Sequence, residues 1–230
     1  MSNALRKPSV KPDRRLAILS AAEKLFAQHG YHAVSIRHIA DEAGVPLALV
    51  GYYFGQKHEL FHAIFAHWQH TIDERMALLR RAQEGKRGRN YLQRIVQAFV
   101  EPVLRMRASA EGEYYALLVA RELAYRTPEA DRVLVDYFDP MAHAFIDALQ
   151  GAFPDSSRGQ VAWAYQFALG ALIHHLSDLR VQRLSHGENV PNDPQAGAAL
   201  VRFMTAGISA LLVQPAARGR AKPAAGTATA

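Results

Sequence analysis

The feature that most narrows what this chain can become is a glycine between two short apolar periods. In the stretch "SIRHIADEAGVPLALVGYYF", residues 35 to 54, Ile36, Ile39 and Ala43 recur at helical spacing, Gly44 ends the repeat and Pro46 opens another. A glycine just past a helix supplies the backbone turn that stops it, and a proline in the next first turn gives up an amide that has no partner there anyway. Two short helices therefore meet at a fixed angle. Val45 plugs the core between them, while Val50 and Phe54 pin the second helix so that its other side faces outward. Such a helix-turn-helix offers its free side to the major groove of duplex DNA.

Helical periods also dominate the rest of the chain, and no alternating strand or hairpin pattern competes, so the expected fold class is all-α. A first helix should start at Asp13, a good N-cap, and run "RRLAILSAAEKLFAQHG" to Gly30, with Leu16, Leu19, Ala22, Leu25 and Phe26 inward. A third short helix fits "PLALVGYYF", with Pro46 as its first residue. From about Lys57 to Gln83 the spacing predicts one long helix, which "GKRGRN" breaks. Further helices fit residues 89 to 108, 112 to 125, 128 to 152, 157 to 185 and 194 to 213, punctuated by Pro128, Gly151 with Pro154, and the polar "HGENVPNDP". The expected domains are a flexible basic arm over 1 to 12, a reading domain over 13 to 57, a larger helical domain over 58 to 214 and a disordered tail over 215 to 230.

Charge supports that division. The net charge of +6 comes from the two ends, because residues 61 to 214 carry 16 Lys or Arg against 16 acids. A basic N-terminal segment on a neutral body is the footprint of a nucleic-acid reader, and Arg6, Lys7 and Lys11 could lie along phosphates. With no cysteine, the chain has no disulfide, thiol nucleophile or thiolate metal site. No apolar run approaches the roughly 18 to 20 residues that cross a bilayer, and the first 15 residues carry charges and prolines, so a cytoplasmic address without a membrane partner is expected.

Residues 13 to 62 resemble the N-terminal domain of the TetR family of transcriptional repressors, and "SIRHIADEAGVPLALVGYYFGQKHELF" follows its helix-turn-helix pattern almost throughout. The resemblance implies a DNA-binding domain joined by a long helix to a C-terminal domain that dimerises and holds an effector. It implies backbone and base-edge contacts near Ser35 and Arg37, and groove contacts from Pro46, Leu47, Ala48 and Gly51. It also implies phosphate contacts from Tyr52, Tyr53 and Lys57, the last two being the strongest candidates. Leu47 and Gly51 depart from the polar residue and the tyrosine frequent there, which leaves an unusually apolar reading surface and moves base selection toward thymine methyls, Arg37, bridging water or DNA shape. Gln56 replaces the usual capping serine, although Glu59 can complete part of a capping box.

One motif points elsewhere. His58-Glu59-Leu60-Phe61-His62 has the spacing of a zinc hydrolase, with two histidines on one helical face and a glutamate as general base. The extended forms need a third ligand, but Phe65 and Trp68 stand where glycine and histidine would, and Glu84 falls at the far end of the same helix. No cofactor, metal or enzymatic activity is therefore expected, with the hydrolase and a helical protein-interaction adaptor as the alternatives. The arginines and lysines at 80, 81, 86, 87 and 89 are expected to be a solvated surface.

The C-terminal half is rich in large apolar residues. Phe99, Val103, Tyr115, Leu118, Met141, Phe145, Trp163 and Phe167 are candidates to line a pocket for an apolar or amphipathic small-molecule effector, with Arg121 or His174 as its polar anchor. The last two helices are apolar over wide arcs and carry Gly170, Gly197 and Gly207, so two copies can pair through them as a homodimeric four-helix bundle. A palindromic double-stranded DNA operator is the matching partner.

Overall fold

Helix α1 (Arg14–His29) begins where Asp13 Oδ1 accepts the amide hydrogens of Arg15 and Leu16 at 3.0 and 3.2 Å, the expected N-cap. The computed structural model describes residues 13–212 apart from 86, 125 and 126, and not the side chains of 124 and 194. The expected basic arm, with Arg6, Lys7 and Lys11, the expected tail and Lys86 lie outside the described residues. In α1 the inward stripe is Ile18, Leu19, Ala22 and Phe26, while Leu16, expected inward, is exposed. Leu16 sits in the first turn at the rim of the stripe, and Ile18 takes the interior position.

Helix α2 (Ile36–Ala43) starts with a reciprocal cap: the Ser35 hydroxyl accepts from the His38 amide at 3.2 Å, and the Ser35 amide donates to His38 Nδ1 at 3.3 Å. Gly44 ends α2 in the left-handed region, at φ 63° and ψ 36°, where its amide and that of Val45 return to the last carbonyls of the helix. Helix α3 (Leu47–Phe54) follows, with Pro46 as the capping residue outside the helix instead of its first member.

The long helix expected over 57 to 83 is two helices, α4 (Lys57–His67) and α5 (Gln69–Glu84). The break is at Trp68, whose φ of −90° and ψ of 5° leave the helical range. Its carbonyl accepts from the Thr71 amide at 2.9 Å and hydroxyl at 2.8 Å, and its indole N–H donates to buried Glu23 Oε2 at 2.7 Å. The apolar period continues through the break, so pattern alone does not reveal it.

Beyond it lie α6 (Tyr91–Ala108), α7 (Glu113–Ala124), α8 (Pro128–Val133), a π turn (Leu134–Phe138), α9 (Asp139–Ala152), α10 (Arg158–Ser177), α11 (Val181–Leu184) and α12 (Pro194–Leu212). The expected helix over 128 to 152 thus contains one wide turn, and the one expected over 157 to 185 stops at Ser177. There Asp178 bends the chain by accepting from the Arg180 amide at 2.8 Å and from its guanidinium. Among the described residues there is no strand.

Two cores result. One joins α1 to α4 and continues to Tyr115, Leu118 and Val133; the other is built on Ile72, Leu79, Ile95, Phe99, Met141, Phe145, Leu172 and Met204. Contrary to the sequence expectation, α12 is long and apolar enough to cross a membrane, judged by length and composition alone, through its window Gln195–Leu212. Its Val201, Met204, Ile208 and Leu212 are buried inside the molecule, whereas Phe203 and Leu211 are exposed.

Candidate nucleic-acid interface

Val50 and Phe54 are buried and hold α3 against the first core, which leaves the remainder of that helix outward. Tyr52 is 80% exposed, Leu47 45% and Tyr53 38%, and Pro46, Ala48 and Gly51 are exposed beside them. A Cβ at Gly51 would meet nothing within 4 Å, so packing does not demand glycine there. The rings of Tyr52 and Tyr53 meet edge to face at 5.3 Å. Ser35 and Arg37 are exposed at the start of α2, although the Ser35 hydroxyl already serves the cap.

Lys57 is half-buried at the start of α4, with its Nζ 4.2 Å from the centre of the Tyr31 ring. Burial lowers its pKa, and the charge of Glu129 works against that shift. The ring holds the ammonium at the helix N-terminus, where charge and amide dipoles favour the same anion. Gln56 starts α4 with its amide donating to Glu59 Oε2 at 2.7 Å, the half of a capping box that a glutamate three residues on can supply.

That bond also occupies the glutamate of the zinc-like motif. His62, instead of facing His58 across a metal, lies with Nε2 3.0 Å from Asp136 Oδ2 and Nδ1 3.3 Å from the Tyr137 hydroxyl. Among the described residues no group of three or more His, Cys, Asp or Glu side chains is placed to hold a metal ion.

Trp68 and Glu23 tie three elements together at the first core. Trp68 stacks on Tyr115 at 5.0 Å and 12° while donating to Glu23, so α1, α7 and the α4–α5 break meet at one point. Burial pushes the Glu23 carboxyl up from 4.5 to about 7, against the opposing pull of the Trp68 indole and the Tyr115 backbone amide. Between those values the folded chain holds a proton that the unfolded chain has released. Stability should therefore fall as pH rises from 4.5 to about 7, by at most roughly 3 kcal/mol. Glu23→Gln keeps an acceptor for the indole but has no proton to lose, so in thermal melts across this window it should lack that decline. Parallel melting curves for the two proteins would exclude Glu23 as the source.

Residues 18–64 match the model of bacterial regulatory proteins of the tetR family, and residues 97–207 match that of the tetracyclin repressor-like C-terminal domain. The two matched segments follow one another in the order that the fold gives them. The chain belongs to the TetR family.

The HTH-type transcriptional regulator HbdR of Aromatoleum sp. (strain CIB) is 38% identical over 60 residues, 26% of each chain. The HTH-type transcriptional activator FasR of Mycolicibacterium smegmatis is 33% identical over 92 residues, 40% of this chain and 41% of that one. The matches thus span about a quarter and about two fifths of those relatives. A TetR-family transcriptional regulator from Bordetella parapertussis 12822 superposes with a TM-score of 0.61 at 17% identity, over 84% of this chain and 95% of that one, a likeness of fold.

In this TetR-family chain the structure separates the residues expected to line an effector pocket. Phe99, Met141 and Phe145 share the second core, with Val103 packed against it, but Tyr115 and Leu118 belong to the first. The Arg121 guanidinium lies against Gly30, at the end of α1. Trp163 and Phe167, 61% and 60% exposed, stack on each other at 5.6 Å on the outside of α10. His174 is exposed and paired with Asp178 at 3.0 Å. The reason is local: Val161, Ala164, Tyr165, Ala168, Leu172 and Leu176 already form the inward stripe of α10, so positions 163, 167 and 174 turn away.

Arg75 is not among the residues that the sequence puts forward. It is buried on α5, its guanidinium carbon 4.5 Å from the centre of the Phe99 ring and 5.8 Å from that of Phe145.

Proposed function

We propose that this chain is a ligand-responsive transcriptional regulator that binds a palindromic DNA operator as a homodimer, and that it represses until a small apolar or amphipathic effector releases it. The observation that carries this reading is the outward side of α3, with Leu47, Tyr52 and Tyr53 exposed on a helix whose angle is set by Gly44 and whose inner side is buried. Ser35, Arg37, Pro46, Ala48, Gly51 and Lys57 complete the contact surface.

The dimer reading is supported by the outer sides of α10 and α12. Trp163, Phe167, Phe203 and Leu211 are exposed there, beside a groove that includes Ala164, Ala168, Ala171 and Gly207. Large rings next to small residues suit close helix pairing in a four-helix bundle. The same surface gives the apolar arc of α12 an occupant other than lipid. On this reading the chain acts in the cytoplasm and catalyses nothing.

Release follows from geometry. Two α3 helices must sit in successive major grooves, so an effector that binds better to a dimer with a different spacing lowers operator affinity. A coupling of about 1 to 3 kcal/mol weakens binding roughly 5- to 150-fold. The test is titration of labelled genomic fragments with the dimer at two salt concentrations. Affinity should fall steeply with salt while one fragment stays preferred. Equal binding of every fragment would sink the reading.

A further inference from the structure

We propose that Arg75 is the seat of the effector's charge, and that the effector is an apolar monocarboxylate. The inference rests on the regulator reading for what the ligand does, but not for whether it binds. Arg75 is 6% exposed, and neither its Nε nor its Nη2 has a hydrogen-bond partner among the described residues. Those two nitrogens form one edge of the guanidinium, and their hydrogens point the same way. That edge receives both oxygens of a carboxylate in a bidentate pair.

The surroundings match the rest of such a ligand. The rings of Phe99 and Phe145 flank the guanidinium, and Met141 shares their core. The side chains coupled electrostatically to Arg75 are Tyr165 and Tyr115, whose hydroxyls burial keeps neutral, and no carboxylate is among them. The Tyr115 hydroxyl is itself buried without a partner among the described residues. A lone guanidinium is costly in such a place, and aromatic faces offset only part of its lost hydration. A carboxylate would satisfy the charge and both donors together, while its apolar body replaces side-chain contacts.

The position also links the ligand to DNA. Arg75 stands on α5 within electrostatic reach of Tyr115, and Tyr115 stacks on Trp68 at the α4–α5 break, where the indole donates to Glu23 of α1. A ligand that draws Arg75 and Tyr115 toward itself disturbs the stack that fixes α4, and α4 carries α3 with it.

The test is thermal unfolding of the full chain with octanoate and 4-phenylbutyrate, each against its primary amide. The carboxylates should raise the melting temperature by about 5 to 10 °C at roughly a hundredfold excess over Kd, and the amides should bind roughly 10- to 100-fold more weakly. Arg75→Met should melt no lower than wild type and lose the response. Arg75→Lys, which keeps the charge but not the paired edge, should fold and respond roughly tenfold more weakly, and it decides the matter if the methionine variant does not fold. Carboxylates that leave wild type unmoved, amides that bind equally, or variants that respond like wild type would each overturn the proposal. DNA binding is measured on the same samples: carboxylates held by Arg75 while every DNA fragment binds equally would remove the regulator reading alone, whereas preferential DNA binding with no carboxylate response would remove this one alone.

Discussion

Replacing Phe167 and Phe203 together by glutamate should yield a folded protomer whose affinity for the operator is about 10²- to 10⁴-fold below that of wild type. Both rings are more than half exposed on the single chain, at 60% and 68%, so the substitutions remove little of its own packing. In the dimer each ring would be covered, at about 1.5 to 3 kcal/mol per fully buried side chain, and each protomer contributes both. Glutamates in their place would also bury charges facing charges, because a two-fold interface sets each patch against its own copy. Loss of the pair costs DNA binding because two half-sites held by one body gain an effective concentration that separate protomers lack. Sedimentation and anisotropy on the same sample decide it. A dimer that persists would place the interface elsewhere, and a protomer that binds the operator like wild type would show that pairing does not support DNA binding.

The second large effect is expected at the phosphate contacts. Tyr53→Ala with Lys57→Gln should weaken operator binding by at least roughly 100-fold, since each lost contact occurs twice in a dimer and a hydrogen bond to a charged group is worth about 1.5 to 3 kcal/mol net, so the two Lys57 contacts alone supply about 3 kcal/mol. The preference among sequences should survive, because phosphates carry no base identity. The slope of log affinity against log salt should become shallower by about two, one released counterion for each Lys57. Lys57 is well placed for this role because the Tyr31 ring at 4.2 Å already restrains its ammonium. A variant whose preferred sequence changes would show that Tyr53 reads bases, and an unchanged salt slope would remove Lys57 from the phosphate surface.

The features legible in the sequence are those set by neighbours along the chain. Asp13, Ser35 and Gly44 act within four residues of themselves, and the structure gives each the local role that its chemistry implies. The all-helical class and most helix limits follow from the same short-range rules. The break at Trp68 was hidden because the group that holds its indole, Glu23, lies 45 residues away along the chain. The π turn at Leu134–Phe138 was hidden because one extra residue in a turn leaves the apolar period nearly intact.

The effector half was less legible for a different reason. Where α10 is apolar on most sides, composition cannot tell the stripe that faces the core from Trp163 and Phe167, which face out. Buried charges carry a positional signal that residue type conceals. Position 75 falls in the stripe of Ile72 and Leu79, and position 23 beside Leu19 and Phe26, so the helical period points inward at a charged residue in both places.

The most direct measurement is selection of bound duplexes from a random pool by the wild-type chain. Two inverted half-sites, with centres about one helical turn of 10 to 10.5 base pairs or a multiple of it apart, are expected from two α3 helices related by a two-fold axis. Enrichment of a single unpaired motif, or of no motif, would contradict a symmetric pair of reading helices.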